Sequence, residues 1–194
     1  MTGSPTVGRC LVGSLFAMAR FRSLPAFCVD RLGITKTLVM GYSMGARISA
    51  FLTINHPERV RAAVFSGLAE NMIKGFGRSE PIAEALEAPS LEAVTDPEAR
   101  TFRAFAEQTR ADLRALAACM RSERAKVALA DLARIRVPVL VVAGEVDDTA
   151  GRVEPLAEAI PGARGVVLAR RNHMNAVGDR QHKEEVLKFF NSIA

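Results

Sequence analysis

Ser43 has a glycine two positions to either side, in Gly41-Tyr42-Ser43-Met44-Gly45. The pattern Gly-x-Ser-x-Gly lies between an apolar, β-branched run, Thr35 to Met40, and a helical pattern beginning near Ala46, which is the setting of a nucleophile elbow. In such a turn the serine hydroxyl is lifted above the sheet, and both glycines are expected to remove side chains that would collide across the bend. The backbone N–H of Met44, at the helix N-terminus, is expected to face a developing oxyanion. A serine hydroxyl is a poor nucleophile without a base, and the base needs a carboxylate to orient it. Of the three histidines, His56 reads as part of the helix stop Asn55-His56-Pro57 and His182 as a solvated residue of the last helix. His173 falls in the loop Arg170 to Asn175, at the carboxyl end of the last strand, where a base could reach Ser43. Glu145, Asp147 and Asp148 compete for the carboxylate at the end of the run Val139 to Ala143, and Asp148 also suits a helix N-cap. Chain order Ser43, Asp147, His173 matches Ser…Asp…His and neither common serine-protease order.

Those residues need a scaffold, and the alternation of short β-rich runs with longer helical patterns supplies one, an α/β fold with a parallel sheet. A short helix is expected from Leu24 to Leu32, stopped by Gly33. The strand Thr35 to Met40 is too continuously apolar to have a wet face and is expected to be central and parallel. A helix from Ala46 to Asn55, ended by Pro57, and a strand Val60 to Phe65 follow. Residues 69–135 then turn Ala-, Glu- and Arg-rich, with helices predicted over Glu80 to Glu87, Pro97 to Met120 and Ser122 to Ala133. So many helical residues between two strands exceed a minimal crossover, and residues 69–135 are expected to form a helical cap inserted in a single domain spanning 1–194. A strand Val137 to Ala143, a helix Arg152 to Ile160, a strand Gly165 to Ala169 and a helix Arg180 to Ser192 complete the pattern.

Composition narrows the function classes. At 194 residues the chain fits one domain. Its net charge of +5 comes from bases interleaved with acids, and 6% aromatics leave few platforms for stacking bases, so no nucleic-acid partner is expected. Cys10, Cys28 and Cys119 are an odd number at wide spacing, which indicates neither a disulfide framework nor a metal site. No apolar run reaches the ~18–20 residues of a membrane span. Arg9, the stretch Cys10 to Phe16 and Ala17-Met18-Ala19 imitate a signal peptide, but the apolar part is short and broken by Gly13 and Ser14, so a strand or leader is expected there and a cytoplasmic location for the chain.

With these motifs in place, the chain resembles the α/β-hydrolase superfamily, in particular small esterase- and lactonase-like members with a helical cap. The resemblance rests on Gly41-Tyr42-Ser43-Met44-Gly45, His56-Pro57-Glu58-Arg59-Val60, Val137 to Asp147 and Asn172-His173-Met174, and covers about Leu32 to Ala194. It implies a partial α/β-hydrolase fold and selects Asp147 over Asp148 as the acid, by the family's Gly-x-x-Asp. It also implies a Ser43–His173–Asp147 triad acting on a small carboxylic ester or lactone, an oxyanion donor at Met44, and no cofactor or metal. Tyr42, Phe76, Phe102 and Phe105 are candidates to line the substrate site. Met1 to Phe27 reads as unlike the family, whose members supply further strands and a His-Gly oxyanion loop ahead of the elbow. On that reading the chain is an incomplete member of doubtful competence, and the alternative is a remnant that self-associates through an open sheet edge into a homo-oligomer. The same triad also serves cofactor-free peroxidase and carbon–carbon cleavage chemistry.

Overall fold

The computed structural model describes residues 31–122 and 125–193. The stretch Cys10 to Phe16, where a strand or leader is expected, and nearly all of the helix over Leu24 to Leu32 lie outside the described residues. Two compact units are present, one holding the sheet over residues 31–77 and 125–193, the other helical over residues 78–122.

In the strand unit four strands, β1 (Thr37–Tyr42), β2 (Val60–Ser66), β3 (Val139–Gly144) and β4 (Arg164–Leu168), pair in parallel in the order β1-β2-β3-β4. Every residue of β3 is buried, which is why Val139-Leu140-Val141-Val142-Ala143-Gly144 reads as an unbroken apolar run. Helix α1 (Met44–Asn55) brings Ala46 and Ala50 onto one face of the sheet, and their small side chains let the helix lie close to Phe65 and Val141. On the opposite face the last helix, α9 (Arg180–Asn191), covers Val64, Leu140 and Val142 with Val186 and Phe189. Each large apolar side chain buried in this way contributes about 1.5–3 kcal/mol. Because all four strands run the same way, their carboxyl ends share one rim, and the loops that follow β1, β2, β3 and β4 meet there.

Four expectations need correction. First, β1 is parallel but not buried on both faces, since Leu38 and Met40 are 37% and 43% exposed. They point to the face that α9 covers over β2 and β3, and among the described strands β1 stands at the end of the order. Second, the helical unit is narrower than residues 69–135. Leu68, Ala69, Met72, Val127, Leu132 and Ile135 are all buried in the core of the strand unit, so their apolar area ties both flanks to the sheet. Third, the helix predicted over Pro97 to Met120 is two, α4 (Pro97–Gln108) and α5 (Leu113–Arg121). Arg110 turns the chain through a positive φ of 53°, and Asp112 caps α5 by accepting from the Ala115 N–H. Fourth, among the described residues of the Ser122 to Ala133 prediction only Leu129–Leu132 are helical, because the Val127 N–H is drawn instead to the Met72 carbonyl. Among the described residues no helix is long and apolar enough to cross a membrane.

Candidate active site

Ser43 stands between β1 and α1 with φ 55° and ψ −117°, a conformation that costs a non-glycine residue of order 1–3 kcal/mol and persists only where its surroundings enforce it. Two contacts enforce it. The Ser43 N–H donates to the Ser66 carbonyl at 2.8 Å, and its own carbonyl accepts the Ala46 N–H at 3.0 Å. Gly41 is required by the bend, since a Cβ there would lie 2.0 Å from the Gly45 carbonyl oxygen. Gly45 is not: a Cβ at that position meets nothing within 4 Å among the described residues, so the steric demand expected of both glycines falls on the first alone. Met44 opens α1, and its N–H is among the first four, which no intrahelical carbonyl can reach.

The loops after β3 and β4 bring the other two groups to this hydroxyl. His173 Nε2 lies 3.0 Å from Ser43 Oγ, and His173 Nδ1 lies 3.0 Å and 3.1 Å from the two carboxylate oxygens of Asp147. An ionised carboxylate only accepts, so Nδ1 carries the ring proton and Nε2 is left to accept from Ser43. Asp147 is 4% exposed, and its Oδ1 also accepts the Ala150 N–H at 2.8 Å. Asn71, just beyond β2, holds the same loop through the Asp148 and Thr149 carbonyls. Asp148 and Glu145, the competing carboxylates, are elsewhere: Asp148 is exposed, and Glu145 accepts the Arg170 N–H.

His173 is not in an open loop. It is the first residue of a one-turn helix, α8 (His173–Ala176), capped by Asn172, whose side chain accepts from Met174 and Asn175 while Asn175 returns the bond to the Asn172 N–H. The chain arrives there by crossing β3 so closely that a Cβ on Gly144 would sit 2.0 Å from the Arg171 carbonyl oxygen. Arg171 then pairs with Asp179 at 2.5 Å, closing the loop at its far end and holding that carboxyl below the usual aspartate range. Sequence spacing alone could have found the cap, because Asn-x-x-Asn is a capping-box arrangement.

Tyr42 gives its hydroxyl proton to the His173 carbonyl at 2.5 Å, and its ring lies 5.3 Å from the imidazole. Burial, with a smaller effect of the Asp147 charge, pushes the phenol well above its ordinary value, so it stays protonated and remains a donor. Phe76 is half-buried just beyond the short helix α2 (Glu70–Lys74), whereas Phe102 and Phe105 belong to α4 of the helical unit, where Phe105 is 50% exposed. His182, expected to be solvated, is 2% exposed, with Nε2 2.7 Å from Ser66 Oγ. His56 caps the end of α1, in keeping with its reading as part of a helix stop. A cavity of about 490 Å³ opens beside Asp147, but its walls, among them Glu70, Asp148, Arg152 and Glu154, include neither Ser43 nor His173. Among the described residues no group of three or more His, Cys, Asp or Glu side chains is placed to hold a metal ion.

A strained serine between a parallel strand and a helix, with a histidine and an aspartate brought to it from later strand ends, is the arrangement of a strand–turn–helix elbow in an α/β protein. The family model for the alpha/beta hydrolase fold matches residues 8–128. The chain belongs to the α/β-hydrolase fold family. The matched span begins at residue 8 and so takes in most of Met1 to Phe27, which the sequence alone reads as unlike the family. Among solved structures, a hydrolase from Pseudomonas aeruginosa is 26% identical, covers 89% of this chain and 71% of its own, and superposes with a TM-score of 0.63. The enol-lactonase from Burkholderia xenovorans is 20% identical over 90% of this chain and 73% of its own, with a TM-score of 0.68. The carboxylesterase CesB from Bacillus subtilis is 19% identical over 89% and 66%, with a TM-score of 0.63. No curated protein matches the chain.

Proposed function

We propose that the protein is a serine hydrolase acting on a small carboxylic ester or lactone. The observation that carries this reading is the unbroken hydrogen-bonded run from Ser43 Oγ through His173 to Asp147, each step 3.0 Å, with the serine in a strained elbow. In this mechanism the Ser43 oxygen attacks the carbonyl carbon as its proton passes to His173 Nε2. The carbonyl oxygen becomes an oxyanion, which the Met44 N–H stabilises from the helix N-terminus. Collapse of the tetrahedral intermediate breaks the bond to the leaving oxygen, which takes the proton from His173. Water, deprotonated by the same nitrogen, then releases the acid from Ser43. Asp147 keeps the imidazole in the required tautomer and stabilises its charged form. A lactonase and a carboxylesterase among proteins of the same fold support the choice of an oxygen ester over other acyl groups.

The test is labelling with a fluorophosphonate probe together with turnover of p-nitrophenyl acetate and butyrate. Wild-type protein is expected to be labelled and active, and Ser43→Ala to lose both while keeping its melting temperature. Equal labelling of the two proteins would remove Ser43 from the role of nucleophile.

A further inference from the structure

The proposed triad leaves one buried histidine without a task. His182 on α9 is 2% exposed and Ser66 at the end of β2 is 1% exposed. Burying two polar side chains is unfavourable unless each finds partners. Ser66 Oγ lies 2.7 Å from His182 Nε2, and His182 Nδ1 faces the Val177 carbonyl at 3.3 Å. A carbonyl only accepts, so Nδ1 carries the proton and Nε2 accepts the Ser66 hydroxyl. Ser66 is too deeply buried to meet a substrate, and the pair is therefore not a second nucleophile and base.

What the pair touches is Tyr42. The His182 ring meets the Tyr42 ring edge-on, 6.1 Å between centroids at 73°. On another side of the same ring lies Gly67, where a Cβ would come within 2.5 Å of the phenol carbon. Tyr42 thus packs against the Gly67 backbone and His182, donates its hydroxyl proton to the His173 carbonyl, and holds its ring tilted at 41° beside the His173 imidazole. Ser66 closes the circuit, because its carbonyl holds the Ser43 N–H while its hydroxyl holds His182. The contacts run in a ring from Ser43 to Ser66, His182, Tyr42, His173 and back to Ser43.

We infer that His182 is a positioning residue for His173, acting through Tyr42, an inference that rests on the triad reading of Ser43, His173 and Asp147. His182 touches no reacting atom. It sets the angle at which the Tyr42 ring supports the imidazole, and a base displaced by a fraction of an ångström loses turnover before it loses binding.

Kinetics and nuclear magnetic resonance test this together. His182→Phe keeps a ring but removes both nitrogens, whereas His182→Gln keeps an acceptor for Ser66 and a donor for Val177. The expected result for H182F is a loss of about tenfold in kcat with KM within about twofold of wild type, largely restored in H182Q. Tyr42→Phe and H182F should combine to less than the product of their separate effects, because both act on one contact chain. In ¹⁵N-imidazole spectra at pH about 8, above the ordinary histidine range, the His173 nitrogens should shift in H182F. A folded H182F with wild-type kcat and unmoved His173 resonances overturns the inference. Should H182F fail to fold, Ser66→Ala removes only a hydroxyl and decides the matter by the same readouts. Absence of fluorophosphonate labelling in the wild type would instead overturn the hydrolase reading, and the His173 spectra would still decide the positioning.

Discussion

Asp147 accepts from both the His173 ring and the Ala150 N–H, so one carboxylate orients the imidazole and is itself oriented by the loop. Asp147→Asn preserves shape and burial but replaces an obligate acceptor with a group that can present N–H to His173 Nδ1. The imidazole then turns over its tautomer, placing its proton on Nε2, where the Ser43 hydroxyl needs an acceptor. The expected outcome is a loss of about 10⁴ in kcat with fluorophosphonate labelling slowed in parallel, while the melting temperature changes little. A rate within tenfold of wild type would show that Asp147 does not set the tautomer. At this scale apolar periodicity located the strand ends beside Ser43 and His173 and the acidic loop after β3, whereas the choice of Asp147 over Asp148 and Glu145 came from the family resemblance. The sequence was silent on Ser66, and it read His182 as solvated where the fold buries it. A serine closing a strand and a histidine within a polar helix have no spacing that distinguishes a buried pair from two solvated residues, and only the approach of α9 to β2 makes them partners.

Elements carry their own consequences, and two follow from buried charge-capable side chains. Arg103 on α4 is 5% exposed and donates to the Ala85, Leu86 and Ala88 carbonyls, which end the helix α3 (Ser79–Glu87). The last carbonyls of a helix are short of backbone donors; Ala85 accepts the Ala88 N–H at 3.4 Å, and the guanidinium supplies further donors as the C-terminal cap of this neighbouring helix. Arg103→Met keeps the packed stem and removes the donors, and it is expected to cost about 2–3 kcal/mol in denaturant unfolding, with loss of helix signal. A loss below about 0.5 kcal/mol would mean that the carbonyls find other donors. His182 has a pH signature. Burial, the largest effect, and Lys183 hold its pKa below the ordinary histidine value, opposed by the Val177 carbonyl and Asp179, while Tyr42 faces it from β1. The unfolded chain therefore binds the proton that the folded chain resists, and stability is lost as pH falls through the ordinary histidine range toward the folded value. Wild type should lose more unfolding free energy between pH about 8 and about 5 than H182F does, with His56 and His173 common to both. Equal slopes would place a charged His182 in the fold. The element boundaries that the sequence missed have two causes. Asp112 and Asn172 cap helices through side-chain bonds that a hydrophobic period does not register, and Val127 is held extended by a contact distant in sequence.

For the whole molecule, the exposed part of β1 supports a second reading, association of two copies through that strand. Leu38 pairs in register with Ala62, and Met40 with Val64, on the sheet face that Val186 and Phe189 cover farther along. That apolar face therefore continues past its cover onto Leu38 and Met40, with Ile34 and Leu32 exposed at the entry to the strand. Four such side chains, two from each copy and each already more than half covered, supply only a few kcal/mol when buried, and association consumes a comparable amount in lost rigid-body freedom. The resulting dimer should be weak, with a dissociation constant of tens of micromolar or higher. Sedimentation velocity from about 5 to 200 µM is expected to show the weight-average mass rising with concentration, and Leu38→Lys with Met40→Lys to abolish the rise, since lysine on an exposed strand opposes pairing. Ser43 labelling should be unchanged in that variant, because both side chains belong to the outer sheet face and neither supplies a hydrogen bond that joins the triad. A constant monomer mass for wild type across the range would exclude association through β1 and leave its apolar face as a solvent-exposed surface of this chain.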